Sequence, residues 1–263
     1  MARGSLKAVS RLIDIANTNV PIEEQFRTDL CRSIELTDEK NSGMPSRTFK
    51  PSSMTCKRCC YYQVTGMTPD ESKSTYTMIG ICNSGSDIHI RTQTAVMQMK
   101  DNGMDCEWVD VENYVKSRGL DYLEIKSKTG TETKLYDKRY NISFMCDGII
   151  KYKGKYYILE IKTETSGKWY SRTGVNPKHY NQAISYSNSL QLDNVLFLYI
   201  DRDMLNQKAY MYHVTDNMRS DLVKFITDTQ GYIDRQVVPP KSEDAGRSKC
   251  SYCSYQLQCK KDG

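Results

Sequence analysis

No apolar run in this 263-residue chain approaches the ~18 consecutive residues that a membrane-spanning helix needs. Residues 1–18 also lack the uninterrupted apolar core of a secretory signal, so we expect no export by that route. Internal repeat arrays and low-complexity tracts are absent too. With these classes excluded, the sequence predicts a globular protein. The chain is long enough to bury a sizeable core as one large domain or two small ones.

The composition is that of a folded protein with a mild excess of positive charge. Hydrophobic residues make up 38% of the chain and charged residues 26%, as in soluble globular proteins. The net charge of +5, from 37 lysines and arginines against 32 aspartates and glutamates, permits a polyanionic partner without requiring one. In a protein that we expect in the cytoplasm, ten cysteines favour metal or redox use over a disulfide framework.

The sequence divides at about residue 50. Apolar side chains recur at helical spacing over residues 6–13, and residues 41–46 have the composition of a loop. We therefore expect residues 1–50 to form an N-terminal helical extension and residues 51–263 to form the principal domain.

The principal domain is predicted to contain both helices and strands. Helical spacing covers residues 85–100, 178–190 and 216–228. Residues 164–178 are rich in Gly, Ser and Thr and are expected to form a loop. Strand patterns cover residues 107–111, 120–127, 133–139, 142–150, 156–163, 195–200 and 208–214. This order predicts an α/β or α+β core.

The segment around the dipeptide Lys153-Gly154 reads as a β-hairpin. Glycine tolerates the positive φ that a two-residue turn needs. With this turn, Asp147 lies opposite Glu160, and both side chains project from one face, ~4.5–5.5 Å apart at Cβ. Lys162 follows two residues later and projects from the same face. A bulge at Gly154 would shift this register.

Two carboxylates and an ammonium group at this spacing suit phosphodiester hydrolysis. Carboxylate oxygens are the ligands that Mg²⁺ and Mn²⁺ prefer, and such an ion polarises a phosphodiester and lowers the pKa of a bound water. Lys162 would orient that water or stabilise charge on the phosphate. The alternative is a surface hairpin with an ordinary aspartate and a Glu/Lys pair, because such triplets are common.

The strand motif occurs twice. The tetrapeptide Leu-Glu-Ile-Lys stands at residues 123–126 and again at residues 159–162. The first copy has no Asp at hairpin spacing in an adjacent preceding strand. We therefore expect the second copy to carry the chemistry and Glu124 to be a solvated strand residue.

Three further positions extend the set. His89 lies near the start of the predicted helix 85–100, and imidazole can serve as a further metal ligand. Gln182 and Tyr186 are four residues apart and therefore share a helix face. The alternatives are an ordinary histidine and an ordinary helix face.

Aromatic and cationic side chains interleave beside the predicted site. They are Lys168, Trp169, Tyr170, Arg172 and Lys178. Rings stack on unpaired bases and cations neutralise phosphates, so this loop is a candidate contact for single-stranded DNA. The alternative is a mobile, solvated loop.

Four cysteines form a candidate clasp between distant segments. Cys250-x2-Cys253-x5-Cys259 lies in a polar tail with little apolar content of its own, and Cys56 lies far upstream. Four thiolates hold Zn²⁺ or an iron–sulfur cluster equally well. Either would supply folding free energy to the tail. The other cysteines expected to be ordinary residues are Cys31, Cys82, Cys106 and Cys146.

Taken in order, these motifs resemble the RecB-like branch of the PD-(D/E)xK nuclease superfamily. The sequence is similar to the iron–sulfur exonucleases of CRISPR adaptation and to their phage-encoded relatives, and the nuclease domains of AddAB-type recombination enzymes carry the same clasp. The stretch Cys56-Lys57-Arg58-x2-Tyr61-Tyr62 resembles the family's Cys-Pro-Arg-x2-Tyr-Tyr. The motifs in question are His89, Asp147, Glu160-x-Lys162, Gln182-x3-Tyr186, Cys56 and the C-terminal cysteine trio. The resemblance covers about residue 50 onwards.

The resemblance implies a fold and a cluster. The fold would be a restriction-endonuclease-like α/β core, a central mixed sheet flanked by helices, with an iron–sulfur clasp joining the N- and C-terminal segments. The implied ligands of a 4Fe–4S cluster, with Zn²⁺ as the alternative, are Cys56, Cys250, Cys253 and Cys259. Cys59 and Cys60 are extra cysteines, which leaves the first ligand open.

The resemblance also implies roles at the hairpin. Mg²⁺ or Mn²⁺ would bind His89, Asp147, Glu160 and the carbonyl of Ile161. Lys162 would act on the water or the phosphate, and Gln182 and Tyr186 would position the substrate and this lysine. Cys146 replaces the proline that precedes the aspartate in the family's name motif.

The sequence thus predicts a metal-dependent DNA exonuclease that acts on single-stranded or frayed ends in phage or bacterial DNA processing. DNA is the expected partner, together with a protein of recombination, replication or adaptation; a membrane is not. One alternative is a catalytically silent DNA-binding or complex-building subunit, which the intact His/Asp/Glu/Lys set disfavours. Another is a structure-specific endonuclease with the same chemistry.

Overall fold

The computed structural model describes residues 20–41, 46–70, 74–241, 250 and 253–263. The helix expected over residues 6–13 lies outside these ranges, as does most of the loop expected over residues 41–46.

The described backbone divides into two compact units. Residues 20–41 and 74–82 form the first, and the other described residues form the second. This division is not a single boundary at residue 50, since residues 74–82 belong to the same unit as residues 20–41.

The described chain folds into helices and strands in mixed order. The helices are α1 (Ile22–Asn41), α2 (Lys57–Val64), α3 (Tyr76–Met97), α4 (Val111–Ser117), α5 (Ser166–Ser171), α6 (Tyr180–Leu190), α7 (Asp216–Asp234) and α8 (Gln256–Lys261). The strands are β1 (Cys106–Val109), β2 (Leu123–Thr129), β3 (Glu132–Asp137), β4 (Ile142–Cys146), β5 (Gly148–Tyr152), β6 (Lys155–Glu164), β7 (Asn194–Asp201) and β8 (Gln207–His213). Within the described ranges, none of the helices has the length and apolar character needed to cross a bilayer.

The second unit contains a central mixed sheet. Its strand order is β1-β5-β6-β7-β8, and only β6 and β7 run parallel. Helices α5 and α6 lie in the crossover between these two strands, as a parallel connection requires. A separate three-stranded antiparallel sheet has the order β2-β3-β4.

Helices cover both faces of the central sheet. On one face, Ile88 of α3 packs with Ile150, Leu159 and Ile161. On the other face, the larger core contains buried apolar side chains of the sheet and of helices α4, α6 and α7. The prediction of an α/β core with a mixed sheet flanked by helices is therefore confirmed.

The hairpin β5–β6 has the predicted turn and register. Lys153 and Gly154 both have positive φ, 48° and 77°, as a type I′ turn requires. Tyr152 pairs with Lys155, and the ladder runs without a shift to Gly148 and Leu159. No bulge intervenes, so Asp147 stands one residue beyond the last pair.

Several sequence-based boundaries were wrong for identifiable reasons. The run 142–150 is two strands, because the chain bends at Asp147 and passes from the three-stranded sheet to the central one. The run 107–111 ends early because Asp110 caps α4, its carboxylate accepting from the Asn113 N–H at 2.8 Å.

Two further boundaries concern helices. The helix expected to begin after Gly85 starts at Tyr76. Gly85 instead permits close packing, since a Cβ there would lie 3.3 Å from the Thr163 hydroxyl. The loop expected over residues 164–178 contains α5 and a 3₁₀ turn, Pro177–His179.

We predict that Gly148→Ala destabilises the second unit. A Cβ at this position would overlap the indole ring of Trp108 on the neighbouring strand β1. Overpacking of this kind costs about 1–3 kcal/mol, measurable as a lower midpoint in urea unfolding. The matched control is Gly167→Ala in α5, where a Cβ would meet nothing within 4 Å. Equal midpoints for the two variants would contradict the prediction.

Candidate active site

The bend at Asp147 places its carboxylate against strand β6. Its Oδ2 accepts a hydrogen bond from the Ile161 backbone N–H at 2.6 Å. Gly148, the next residue, already pairs with Leu159. Glu160 is 2% exposed and lies on β6 between these two contacts. The hairpin therefore brings the two predicted carboxylates together as the turn chemistry implied.

Helix α3 contributes two side chains to the same place. The Nδ1 atom of His89 lies 3.3 Å from the Asp147 Oδ1. One turn later, the fully buried Gln93 donates from Nε2 to the Asp147 backbone carbonyl at 2.7 Å. The Thr131 hydroxyl in turn donates to the Gln93 Oε1 at 2.6 Å.

Sequence reasoning missed Gln93, although a signal was present. It stands four residues after His89 and therefore on the same helix face. Its amide fixes the backbone of Asp147 while His89 contacts the carboxylate. Gln93 thus holds Asp147 in place, a supporting role of the kind that outer partners play for metal-binding side chains.

A hydrogen-bond network connects Glu160 to helix α6. The Lys162 ammonium donates to the Glu160 Oε1 at 2.6 Å and to the Gln182 Oε1 at 3.0 Å. The Gln182 amide donates to the same Glu160 oxygen at 2.8 Å and to the Tyr186 hydroxyl at 2.7 Å. That hydroxyl donates to the Met145 carbonyl at 2.7 Å. All four predicted side chains of this group therefore meet in one cluster.

The second oxygen of Glu160 has a different environment. Its Oε2 is buried and has no hydrogen-bond partner among the described residues. Burial, followed by the charge of Asp147, raises the pKa of Glu160 to about 8 against the opposing effect of Lys162. A buried carboxylate oxygen without a donor is costly. A cation between Glu160 and Asp147 would remove both penalties, so the donor set fits a hard divalent ion.

The three predicted metal ligands do not form a closed cage. Across the described ranges, no group of three or more His, Cys, Asp and Glu side chains has metal-holding geometry. One oxygen of Asp147 is engaged by the Ile161 N–H and one of Glu160 by Lys162 and Gln182. The Ile161 carbonyl as a ligand stays a prediction.

The duplicated motif lies apart from this cluster. Glu124 and Lys126 are exposed on β2 of the three-stranded sheet and pair with each other at 2.7 Å. The prediction that Glu124 is a solvated strand residue is confirmed.

Two of the five candidate DNA contacts have internal partners. The buried Trp169 donates from its indole to the Tyr199 carbonyl at 3.0 Å, and the Lys208 ammonium lies 4.3 Å from its ring centre. Arg172 forms a bidentate pair with Glu164. The Trp169 ring and the Arg172 guanidinium thus have partners within the protein, and their contact with DNA stays a prediction.

The other three candidates are available to solvent. Lys168, Tyr170 and Lys178 are exposed, and their contact with DNA stays a prediction. The side-chain pattern could not distinguish Tyr170 from Trp169, because both stand next to each other in the short helix α5.

A second histidine near the cluster was also missed. The Nδ1 of His179 lies 3.0 Å from the Tyr199 hydroxyl, and its ring stacks on Phe197 and Tyr199. Burial lowers the pKa of His179 to about 4, with further lowering by Lys162 and other nearby cations. The ring is therefore neutral at physiological pH and packs against Phe197 and Tyr199.

The segment after Cys56 is bound to the C-terminal segment. The buried Arg58 donates to the carbonyls of Pro239 at 2.7 Å, Cys259 at 3.2 Å and Gly263 at 3.2 Å. Tyr62 donates to Asp262 at 2.6 Å. These bonds join parts of the chain up to 205 residues apart, so hydrogen bonds alone clasp the two segments together, and a metal or cluster in this clasp stays a prediction.

Thiols from both segments meet inside this clasp. Cys59, Cys253 and Cys259 pack against the cluster of Tyr62 and Tyr255. A hydrogen bond from the Cys59 thiol lowers the pKa of Cys253 to about 6. Arg58 also directs an N–H at the Cys259 sulfur, 3.7 Å away.

The other cysteines of the predicted clasp are placed as follows. Cys56 is half-buried at the N-cap of α2, and Cys250 is exposed. Across the described residues these cysteines are not grouped with the geometry that holds a metal ion, and the 4Fe–4S or zinc site stays a prediction. The contact of Cys59 with Cys253 keeps Cys59 open as an alternative to Cys56 for the first ligand.

We predict that Arg58→Lys loosens the C-terminal segment. A lysine has one nitrogen in place of the planar fork that bonds three carbonyls, so at least one buried carbonyl would lose its donor. Limited proteolysis should then cut after Pro239 faster than in the wild type, with the fragments identified by mass spectrometry. Lys260→Ala, at an exposed position of the same segment, is the control. Unchanged cleavage in Arg58→Lys would argue against the clasp.

Comparison with known proteins gives little sequence similarity. No family model matches the chain, and no curated protein matches it significantly. Among solved structures, the crystal structure of SSO0001 is similar with a TM-score of 0.46 and 16% identity, covering 90% of this chain and 98% of that one. An alkaline exonuclease (LHK-Exo) from Laribacter hongkongensis has a TM-score of 0.38 and 9% identity, covering 73% of this chain and 90% of that one. Both TM-scores lie below 0.5, so neither similarity supports a function for this chain.

Proposed function

We propose that the protein is a metal-dependent deoxyribonuclease that hydrolyses phosphodiester bonds at single-stranded or frayed DNA ends. The observation that carries the proposal is the Glu160 carboxylate, buried with one oxygen unpaired beside Asp147 and within reach of Lys162. A Glu/Lys pair that served only to stabilise the fold would need neither the half-buried Asp147 carboxylate beside it nor an unpaired buried oxygen.

The residues of the cluster would have different roles in the reaction. His89, Asp147 and Glu160 would hold Mg²⁺ or Mn²⁺. Such an ion, when bound, supplies a Lewis acid for the phosphate and lowers the pKa of a water. Gln93 and the Ile161 N–H fix Asp147 from two sides.

The lysine and its partners act on the substrate side. Gln182 holds Lys162 at 3.0 Å, and Tyr186 holds Gln182. Lys162 would donate a hydrogen bond to the attacked phosphate or to the water. Because its nitrogen is held by two acceptors, little reorganisation accompanies the reaction, which is the basis of electrostatic stabilisation.

We predict that Glu160→Ala loses nuclease activity. Without this carboxylate, cleavage of end-labelled single-stranded DNA with Mn²⁺ should fall by more than the ~10–100-fold typical of losing an outer partner of a metal ligand. Glu124→Ala is the matched control, because it changes the same residue in the duplicated tetrapeptide. Equal losses in both variants, or no cleavage by the wild type, would contradict the proposal.

The form of the DNA separates the competing functions in the same assay. An exonuclease leaves circular single-stranded DNA intact and degrades the linear form, whereas an endonuclease cuts both. A protein that binds DNA and cleaves neither form, with its fold intact, would be a silent subunit.

We further propose that the cysteine clasp holds a 4Fe–4S cluster, with Zn²⁺ as the alternative. The support is the contact of Cys59 with Cys253 and the Arg58 N–H directed at the Cys259 sulfur, together with the motif resemblance. Bound at this place, the group would stabilise the contact between helix α2 and the C-terminal segment. Its role would be structural.

We predict that Cys253→Ser loses the bound cluster. Anaerobically purified wild type should be coloured and contain iron and acid-labile sulfide in equal amounts, and the variant should lose both and become sensitive to protease. Zinc without sulfide in the wild type would select the alternative. Cys56→Ser and Cys59→Ser then identify the first ligand, since only one of them should lose the cluster. Cys31→Ser, in the first unit, should keep it.

A further inference from the structure

The three-stranded sheet ends beside the candidate metal site and brings a further carboxylate to it. Thr133 of β3 pairs with Cys146, the residue that precedes Asp147. Continued by one residue, this antiparallel register places Glu132 opposite Asp147. Glu132 is the first residue of β3 and is half-buried. It therefore stands where the chain bends from the three-stranded sheet into the central one.

Two hydrogen bonds hold the turn before Glu132 against the same site. The Thr131 hydroxyl donates to the Gln93 Oε1 at 2.6 Å, and the Gln93 Nε2 donates to the Asp147 carbonyl at 2.7 Å. Gln93 is fully buried, so the loss of either bond would leave a buried polar group unpaired. The residue next to Glu132 is thus fixed, through one amide, to the backbone of a predicted metal ligand.

The Glu132 carboxylate has no stabilising partner of its own. Within the described ranges, its side chain forms neither a hydrogen bond nor an ion pair. After burial and the charge of Asp147, the charge of Glu132 also raises the pKa of Glu160, so the charged forms of these carboxylates disfavour one another. The Glu160 Oε2 is buried without a donor among the described residues. A cation at this place would offset the repulsion and give that oxygen a partner.

The described geometry favours an outer position for Glu132 over a direct bond to the ion. In the part of the chain that the structure describes, no three His, Cys, Asp or Glu side chains have metal-holding geometry. Mg²⁺ usually keeps several waters and takes one or two carboxylates from a protein. A further carboxylate beside such a hydrated ion accepts hydrogen bonds from its waters, as outer partners of metal sites do.

We propose that Glu132 is a third carboxylate of the cation site and acts on the ion through water. Asp147 and Glu160 would hold the ion directly, and Glu132 would add negative charge and a hydrogen-bond acceptor from the three-stranded sheet. Thr131 would keep Glu132 in place through its bond to Gln93. The inference rests on the proposed metal-dependent function and adds to it a residue outside the sequence motifs.

The test measures Mn²⁺ binding directly, from the electron paramagnetic resonance signal of the free ion. Glu132→Gln should weaken the affinity by ~10–100-fold, the range for loss of an outer partner of a metal ligand. Glu132→Asp keeps the charge and should recover most of this affinity. Glu124→Gln, the same change at an exposed position of β2 in the same sheet, is the control and should leave the affinity unchanged.

Thermal unfolding separates a role in ion binding from a role in the fold. Without metal, Glu132→Gln should not lower the midpoint, because it removes a charge that disfavours the Glu160 carboxylate and breaks no ion pair among the described residues. Added Mn²⁺ should raise the midpoint less in this variant than in the wild type, since stabilisation by a ligand follows its affinity. An equal drop of the midpoint with and without Mn²⁺ would show a structural role and overturn the proposal.

The outcomes distinguish this inference from the proposed function. Equal Mn²⁺ affinities in Glu132→Gln and the wild type would overturn the role of Glu132, and DNA cleavage by the same wild type would leave the nuclease standing. Mn²⁺ binding that depends on Glu132, without DNA cleavage, would refute only the nuclease. Absence of Mn²⁺ binding by the wild type would refute both.

Discussion

The hydrogen bond from the Ile161 N–H to the Asp147 carboxylate is the contact on which the site depends. At Asp147 the chain leaves one sheet and enters another, and this single bond fixes the transition against strand β6. The neighbouring position on the same strand is Glu160. The change of sheet therefore brings a carboxylate from the bend beside one from the strand interior, and Gln93 holds the bend from the opposite side.

The electrostatic cost of this arrangement is concentrated on one oxygen. Lys162 and Gln182 compensate one oxygen of Glu160, while the other stays buried without a donor. Folding alone would favour removing such a group. In the proposed metal-dependent nuclease, a cation bound beside the second carboxylate would offset this energy, as at other sites where function and stability conflict.

The features of the site that the sequence predicted correctly are those set by a local constraint on the chain. The Lys153-Gly154 turn specified the register of its hairpin, and with it the positions of Asp147 and Glu160, because a two-residue turn leaves no freedom. The internal roles of Trp169 and Arg172 could not be read, since they depend on Tyr199 and Glu164, which the crossover brings alongside. The sequence indicated the clasp only through its cysteine spacing. The hydrogen bonds of Arg58 could not be predicted, because they join segments that only the fold brings together.

The clasp imposes an order on folding. The β5–β6 hairpin closes through the two-residue turn Lys153–Gly154, but the Arg58 bonds close loops of 181 to 205 residues. Loop-closure entropy and contact order make such long-range contacts the late, slow steps. The β5–β6 hairpin can thus form before helix α2 contacts the C-terminal segment and before Tyr62 packs against Tyr255.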